Sequence, residues 1–425
     1  MSFTCYSRVF IQSATPPTPA DDNVVKTSLS YKEAKETLLR HAPSTGSERV
    51  PLVDAVGRIL AENIDAQEDF PSFDRASMDG FAVHIGERVV GEQERIVIGE
   101  VQAGSVFGGR LDARSAVRIM TGASVPAGAN AVVEIERVRE DGEALRFDPD
   151  VRPGRNIRLH GEELHRGDRA LSKGALLLTP HIGLLATMGY STVAVARRPK
   201  IAVLVTGTEL LSIDAAGEPG KIRESNSWML RAAASMLGLP VLSVRAIPDD
   251  PRQIAHELER ALAADAVLLS GGVSVGKYDY VLEAFRRVGV ELVFWKIRMK
   301  PGMPFAFGLS RAGSRTVPVF ALPGNPVSTY VTFRLLVQPA LEAMQGKLDA
   351  RTIPSVQAML ASPIAKADDK RHFVRGTLRP DMSVEPFATQ SSGVLSSLAA
   401  SNCLIVLPED ARDCRAGLSV EVILL

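Results

Sequence analysis

Cysteine is scarce in this chain. Its three residues, Cys5, Cys403 and Cys414 in a sequence of 425, are too few and too scattered for a disulfide framework or a zinc cluster. A reducing, cytoplasmic setting is the expectation that follows. Net charge is lacking as well: Lys plus Arg and Asp plus Glu are 49 each, for a formal charge of zero. Broad nucleic-acid binding needs a basic surface to displace counterions, so it is not expected here. A local basic pocket stays open, because net charge does not report distribution. No apolar run reaches the length of a membrane span, and the apolar part of "RVFIQSATPPTPA" is too short for a signal-peptide core. No G-x-G-x-x-G follows a strand pattern, which removes the dinucleotide fingerprint. No Ser-His-Asp set stands out, and His181, His256 and His372 read as structural. Aromatic residues make up only 5%, and Tyr278, Tyr280 and Trp295 read as packing rather than stacking groups.

What is present is core-forming material, with 45% hydrophobic residues over a length that exceeds one core. Residues 1–27, rich in Ser, Thr and Pro, read as a disordered tail. "SLSYKEAKETLLRHAP" reads as a helix with Ser30 as cap and Glu33 three residues on, and a second short helix is expected in "VPLVDAVGRILAENI". Residues 28–68 and 165–198 form one helical and linking domain. Residues 69–164, with short alternating runs between turn residues, form an inserted β-rich domain. From 199 to 346 strands and helices alternate at α/β spacing, and 347–425 returns to short strands that suit a small barrel or sandwich. The fold class is multidomain α/β plus β.

In an open parallel sheet, ligands sit outside the carboxyl ends of the strands. The loops there carry the chemistry. The first holds Thr206, Gly207, Thr208 and Glu209, and the second Asp249 and Asp250. The third, "SGGVSVGKYDY", spells G-x-x-x-x-G-K from Gly271 to Lys277. A P-loop then needs Ser or Thr to hold magnesium, and the position is Tyr278, followed by Asp279. This reads as a phosphate loop that takes its metal from an acid, not as a Walker motif. A later loop, Pro323-Gly324-Asn325-Pro326-Val327-Ser328, leads into a helix whose free N–H groups offer a second anion cradle. Glu209, Asp249 or Asp250, and Asp279 bring carboxylates to the same edge, where a hard cation such as Mg2+ suits acids facing a phosphate site. Lys296 and Lys300, four apart on a strand, are expected on one face, gripping an anion. Asp249-Asp250-Pro251 also reads as a helix cap.

These stretches, with "FDRASMDGFAV", "RIMTGASVPAGANAVV", "GRNIRLHGEEL", "VTGTELL", "FWKIRMKPGMPFAFG" and "LPGNPVS" in the same order, resemble the molybdopterin molybdenumtransferases, which include the bacterial MoeA proteins and the C-terminal region of gephyrin. The resemblance spans about residue 28 to 425. It implies an elongated four-domain subunit with an α/β domain shared with molybdopterin adenylyltransferases, and a homodimer whose active site spans both subunits. It implies a reaction in which adenylylated molybdopterin loses AMP with a divalent cation, Mg2+, and takes up molybdate. The adenylyltransferase and the recipient molybdoenzymes are then the expected partners, with no nucleic acid and no membrane. Asp79, Thr121 and, more weakly, Asp74 look like the inserted domain's contribution, and Arg158 with Glu163 like another functional cluster. Glu209, Asp249 and Asp279 look like the acids of the metal site. Thr206, Gly271, Gly272, Ser274, Pro323, Asn325, Pro326 and Ser328 look like the phosphate and pterin cradle, with Lys296 and Lys300 as its cationic side. Arg375 and Ser392 look like anion contacts from the last domain. The chain departs from the family pattern at Met303, where a second lysine is common, at Thr208, where an acid is common, and at Arg75, which is left to pair with Asp74 or to serve the anion. The runner-up readings are a non-catalytic pterin-binding scaffold and the adenylyltransferase itself.

Overall fold

The computed structural model describes residues 26–86, 91–273 and 280–425. They form two compact units. One gathers the chain up to Thr45, Arg198–Gln345 and Asp349–Leu425, and the other Gly46–Arg197 with Gly346–Leu348.

In the first unit the sheet runs in the order Val241–Ile247, Ile201–Thr206, Ala266–Ser270, Arg315–Leu322, Ala306–Ala312, Glu291–Lys300. The first four strands are parallel and the last two antiparallel to their neighbours. Ile201–Thr206 is apolar almost throughout because both its faces are covered. Ile201 and Val203 pack into one core, Ala202 and Leu204 into the other. The helices Asn226–Met236 and Pro326–Thr332 supply the first core, Pro251–Ala261 and Tyr280–Val288 the second. Pro326–Thr332 continues through a π-helical stretch, Phe333–Val337, into Gln338–Met344.

The C-terminal strands Arg371–Leu378, Ser383–Pro386, Ser355–Leu360, Ser419–Leu424 and Cys403–Leu407 pair in that order. Arg371–Leu378 also pairs with Cys403–Leu407, so the five close on themselves around a core of their own. A closed barrel leaves no unpaired edge.

The second unit contains a six-stranded sheet ordered Ala131–Glu134, Gly80–Val83, Ser115–Ile119, Gln93–Val101, Ala144–Phe147, Val138–Asp141. Phe81 and Val83 face one core and Ala82 the other, as strand alternation requires. A third core lies under the hairpin-like pair Ser47–Pro51 and Thr192–Ala196 and the helix Thr179–Thr187.

The structure corrects three readings of the N-terminal region. Lys26 and Thr27, placed in the tail, begin the strand Lys26–Ser30, which pairs in parallel with Glu291–Lys300. Backbone hydrogen bonding to an available strand, with Leu29 buried, outweighs a polar composition. The helix Tyr31–Arg40 forms as read, with Ser30 and Glu33 closing a capping box. It packs on Gln338–Met344 and Glu291–Lys300 rather than with residues 165–198, because Tyr31, Ala34 and Leu38 join that core. The expected second helix is a single 3-10 turn, Leu52–Ala55. Beyond it the backbone bonds outward, Gly57 N to Leu177 O, Leu60 N to Ala175 O and Ala61 N to Ala194 O, which draws the chain into extended form.

Candidate active site

A cleft of about 1210 Å³ opens at the carboxyl ends of the parallel strands in the first unit. It gathers Thr206, Glu209, Asp249, Gly271, Gly272, Lys300, Pro323, Asn325, Pro326, Ser328 and Ser392 from the residues read in the sequence. Ser274 and Asp279 lie outside the described residues.

The glycine turn is tightly constrained. Gly271 has φ +98, and a Cβ there would sit 2.3 Å from Thr206 O, so only glycine lets the turn lie on the first strand's end. Ser270 Oγ donates to Pro323 O at 3.0 Å, and Thr329 Oγ1 donates to the same carbonyl at 2.6 Å. The third and last loops are thereby tied together beneath the cleft. From the barrel, Ser392 Oγ accepts from Asn325 Nδ2 at 3.0 Å, and Ser392 O accepts from Val327 N.

The two neighbouring aspartates have separate duties. Asp250 caps the helix Pro251–Ala261, accepting from Arg252 N and Gln253 N at 2.9 and 2.8 Å. Asp249 faces the cleft; its Oδ2 accepts weakly from Thr208 N at 3.4 Å, and its own N–H donates to Thr208 Oγ1 at 3.3 Å. Thr208, a neutral residue, thus clasps Asp249 through hydrogen bonds. Asp249 Oδ1 is buried and has no partner among the described residues. Unpaired buried carboxylate oxygen is costly, so the group suits a cation. Glu209 folds back over Gly207, where a Cβ would be 2.8 Å from Glu209 Oε2. Among the described residues no cluster of three or more His, Cys, Asp or Glu is arranged to hold a metal.

Two of the cationic readings change. Lys296 and Lys300 do not share the cleft. Lys296 takes φ +68 just past Trp295, the last residue laddered to the neighbouring strand, which breaks the alternation on which their common face depended; the buried positions shift from Phe294 to Ile297 and Met299. Its Nζ lies 3.8 Å from the centroid of the Trp295 ring, a cation–π contact. Lys300 lines the cleft, and so do Met303 and Lys370. Arg375 is fully buried and does not line the cleft, with its Nε and Nη1 lacking a partner among the described residues. Its Nη2 donates to Thr389 O and Ser391 O, and its backbone exchanges hydrogen bonds with the Gln390 side chain, so it shapes the loop that presents Ser392.

In the second unit, Asp79 Oδ1 accepts from both the N–H and the hydroxyl of Thr121. The Thr121 hydroxyl, then its N–H, holds the exposed carboxyl below the usual Asp range. Asp74 Oδ1 accepts from His160 N at 2.7 Å. Arg158 pairs with Glu163, and Arg75, directly across an antiparallel pair from Arg158, lies 3.5 Å from the same carboxylate. Arg75 therefore pairs with Glu163 rather than with Asp74. The histidines keep their structural reading where they are bonded. His181 Nδ1 accepts from Leu178 N, and buried His372 meets Asp368 at 2.7 Å.

Sequence reasoning missed Glu224, Ser225 and Asn226, which line the cleft at the start of the helix Asn226–Met236. Buried Glu224 accepts from Ser227 N and Ser227 Oγ, and the "ESNS" stretch, polar residues opening an apolar helix, was the available signal.

Comparison with known proteins agrees along the chain. Family models match as the MoeA N-terminal region (domain I and II) over residues 29–189, a probable molybdopterin binding domain over 202–343, and the MoeA C-terminal region (domain IV) over 357–425. A molybdopterin molybdenumtransferase of Staphylococcus epidermidis is 35% identical over 411 residues, 94% of this chain and 96% of the relative. One of Staphylococcus aureus is 36% identical over 409 residues, 93% and 95% of the two chains. The crystal structure of the molybdopterin biosynthesis moeA protein from Pyrococcus horikoshii OT3 superposes with a TM-score of 0.79 at 32% identity, covering 94% of this chain and all of that one, 100%. The chain belongs to the molybdopterin molybdenumtransferase (MoeA) family and so to the enzymes of molybdenum cofactor biosynthesis.

Proposed function

We propose that the cleft binds adenylylated molybdopterin, cleaves its phosphoanhydride with water to release AMP, and lets molybdate enter at the dithiolene sulfurs. The observation that carries this reading is the meeting of a glycine turn, Gly271–Gly272, with a buried oxygen of Asp249 that has no partner among the described residues, in one cleft. The Gly271 N–H is taken by Leu322 O, and the N–H of Gly272 beyond it suits a phosphate oxygen. A carboxylate beside a phosphate site repels it unless a cation lies between them, and Asp249 with Glu209, joined by Asp279, would hold Mg2+. When bound, the cation neutralises charge on the phosphate oxygens. Lys300 and Lys370 place positive charge at the cleft wall, where it favours charge developing on the leaving phosphate and attracts the tetrahedral molybdate dianion. The hydroxyl of Ser392 adds a donor, and Met303 adds none.

The reading includes a homodimer in which Asp79 and Thr121, with Asp74, Arg158 and Glu163, complete the cleft of the other subunit. It also includes a cytoplasmic enzyme that takes its substrate from the adenylyltransferase. No helix among the described residues is long and apolar enough to cross a membrane.

Release of AMP from adenylylated molybdopterin, with magnesium and with or without molybdate, tests the proposal beside an Asp249→Asn variant. Molybdate-dependent release that the variant loses supports it. Tight pterin binding without release under either condition sinks it in favour of a scaffold.

A further inference from the structure

Asn226 lines the cleft, and its side-chain nitrogen is fully spent. Nδ2 donates to Ser270 Oγ at 2.9 Å and to Gly324 O at 2.7 Å. A carbonyl oxygen only accepts, so the Gly324 contact fixes which end of the amide is nitrogen. The two acceptors belong to different loops, and those loops touch: a Cβ on Gly324 would lie 3.4 Å from Gly271 Cα. Ser270 Oγ donates its own hydrogen to Pro323 O, so the Asn226 amide extends to both turns the hydrogen-bonded tie between them. Asn226 Oδ1 and Thr206 Oγ1, both lining the same cleft, are buried without a partner among the described residues. This geometry requires Asn226 to face the third and last loops at once.

We propose that Asn226 is a positioning residue that sets the separation of the Gly271–Gly272 turn and the Pro323–Gly324 turn. It thereby selects ligands carrying two linked phosphates over ligands carrying one. The inference rests on the reading of this cleft as a phosphoanhydride site. A ligand spanning both turns needs them at one separation, because binding that must also order the protein forfeits affinity. A ligand held on a single turn does not.

The test is calorimetric titration of ADP and of AMP, with magnesium, into the full chain and its Asn226→Ala and Asn226→Asp variants. The Asp variant keeps side-chain volume while turning an oxygen toward Gly324 O. Wild type is expected to bind ADP more tightly than AMP. Both variants are expected to bind ADP about tenfold more weakly, on the scale of one or two lost hydrogen bonds, with AMP affinity within about twofold. Equal losses for both ligands, no loss for either, or no wild-type preference for ADP would overturn the proposal. Variants that fail to fold would make Asn226 merely structural and overturn it too. Wild type that binds neither ligand would remove the phosphoanhydride reading itself, an outcome distinct from all of these.

Discussion

Thr121 gives Asp79 two donors at once: its N–H and its hydroxyl each lie 2.6 Å from the same carboxylate oxygen, Oδ1. The pair joins the turn before the strand Gly80–Val83 to the turn after Ser115–Ile119, two adjacent strands of one sheet. An exposed carboxylate is held there in one direction, ready to act as an acceptor.

Thr121→Val removes the hydroxyl and keeps the N–H, so the Asp79 pKa is expected to rise toward the ordinary 3.8. The folded-state pKa is depressed. The ionised form therefore persists below the ordinary value and is lost only as pH falls through the lowered one. Carboxyl-carbon NMR titration reads this directly, and an unmoved midpoint would remove the hydroxyl's role.

Glu134 offers an acid-stability test. Burial pushes its carboxyl up, but the Arg155 hydrogen bond, then its own backbone N–H and the nearby Asn156 amide, together with the Arg155 charge, outweigh that and bring it down to about 2 from 4.5. Its contribution is complete above pH 4.5 and disappears as pH falls toward 2. Glu134→Gln is expected to cost about 2 kcal/mol at neutral pH, less than full linkage because Arg155 is partly solvated. Denaturant melts of both proteins should converge near pH 2, and a constant gap would contradict the assignment.

Asp249 and Asp250 should separate cleanly. Asp250→Ala loses a helix cap and is expected to cost about 1 kcal/mol of stability with Mn2+ binding retained. Asp249→Asn is expected to weaken Mn2+ binding, followed by paramagnetic resonance, by at least about tenfold with little change in melting temperature. The reverse pattern would exchange the two roles.

The lysines give a similar contrast. Lys300→Ala is expected to raise the molybdate concentration needed for half-maximal AMP release about tenfold, on the scale of one charge-assisted contact. Lys296→Ala should leave it unchanged, since that ammonium rests on the Trp295 ring. An equal effect of both would restore the shared face that the strand irregularity breaks.

Gly271→Ala meets both a positive φ and the carbonyl of Thr206. A loss of about 2 kcal/mol or more, with ADP binding abolished, is expected in melts and titrations. A well-folded variant that binds normally would show that the turn is not fixed.

The capping box at Ser30, the strands that end in Thr206 and Ser270, and the loops that carry Glu209, Asp249 and Gly271 were legible from the sequence. Each is specified by short-range chemistry: capping side chains, apolar runs and glycines at sharp turns. The family resemblance was legible for the same reason, since it rests on contiguous motifs. Where neighbours from elsewhere in the chain decide, sequence reasoning stopped. The strand Lys26–Ser30 exists because Glu291–Lys300 offers backbone partners, and Ile59 and Leu60 are drawn into extended form because Leu176 and Val195 bridge to them. The divergence of Lys296 from Lys300, the withdrawal of Arg375 beneath its loop and the crosspiece made by Asn226 are likewise decided by tertiary structure. Alternation along a strand fixes a side chain's face only while the ladder stays regular, and a polar side chain's role depends on which distant carbonyls the fold brings within 3 Å or so of it.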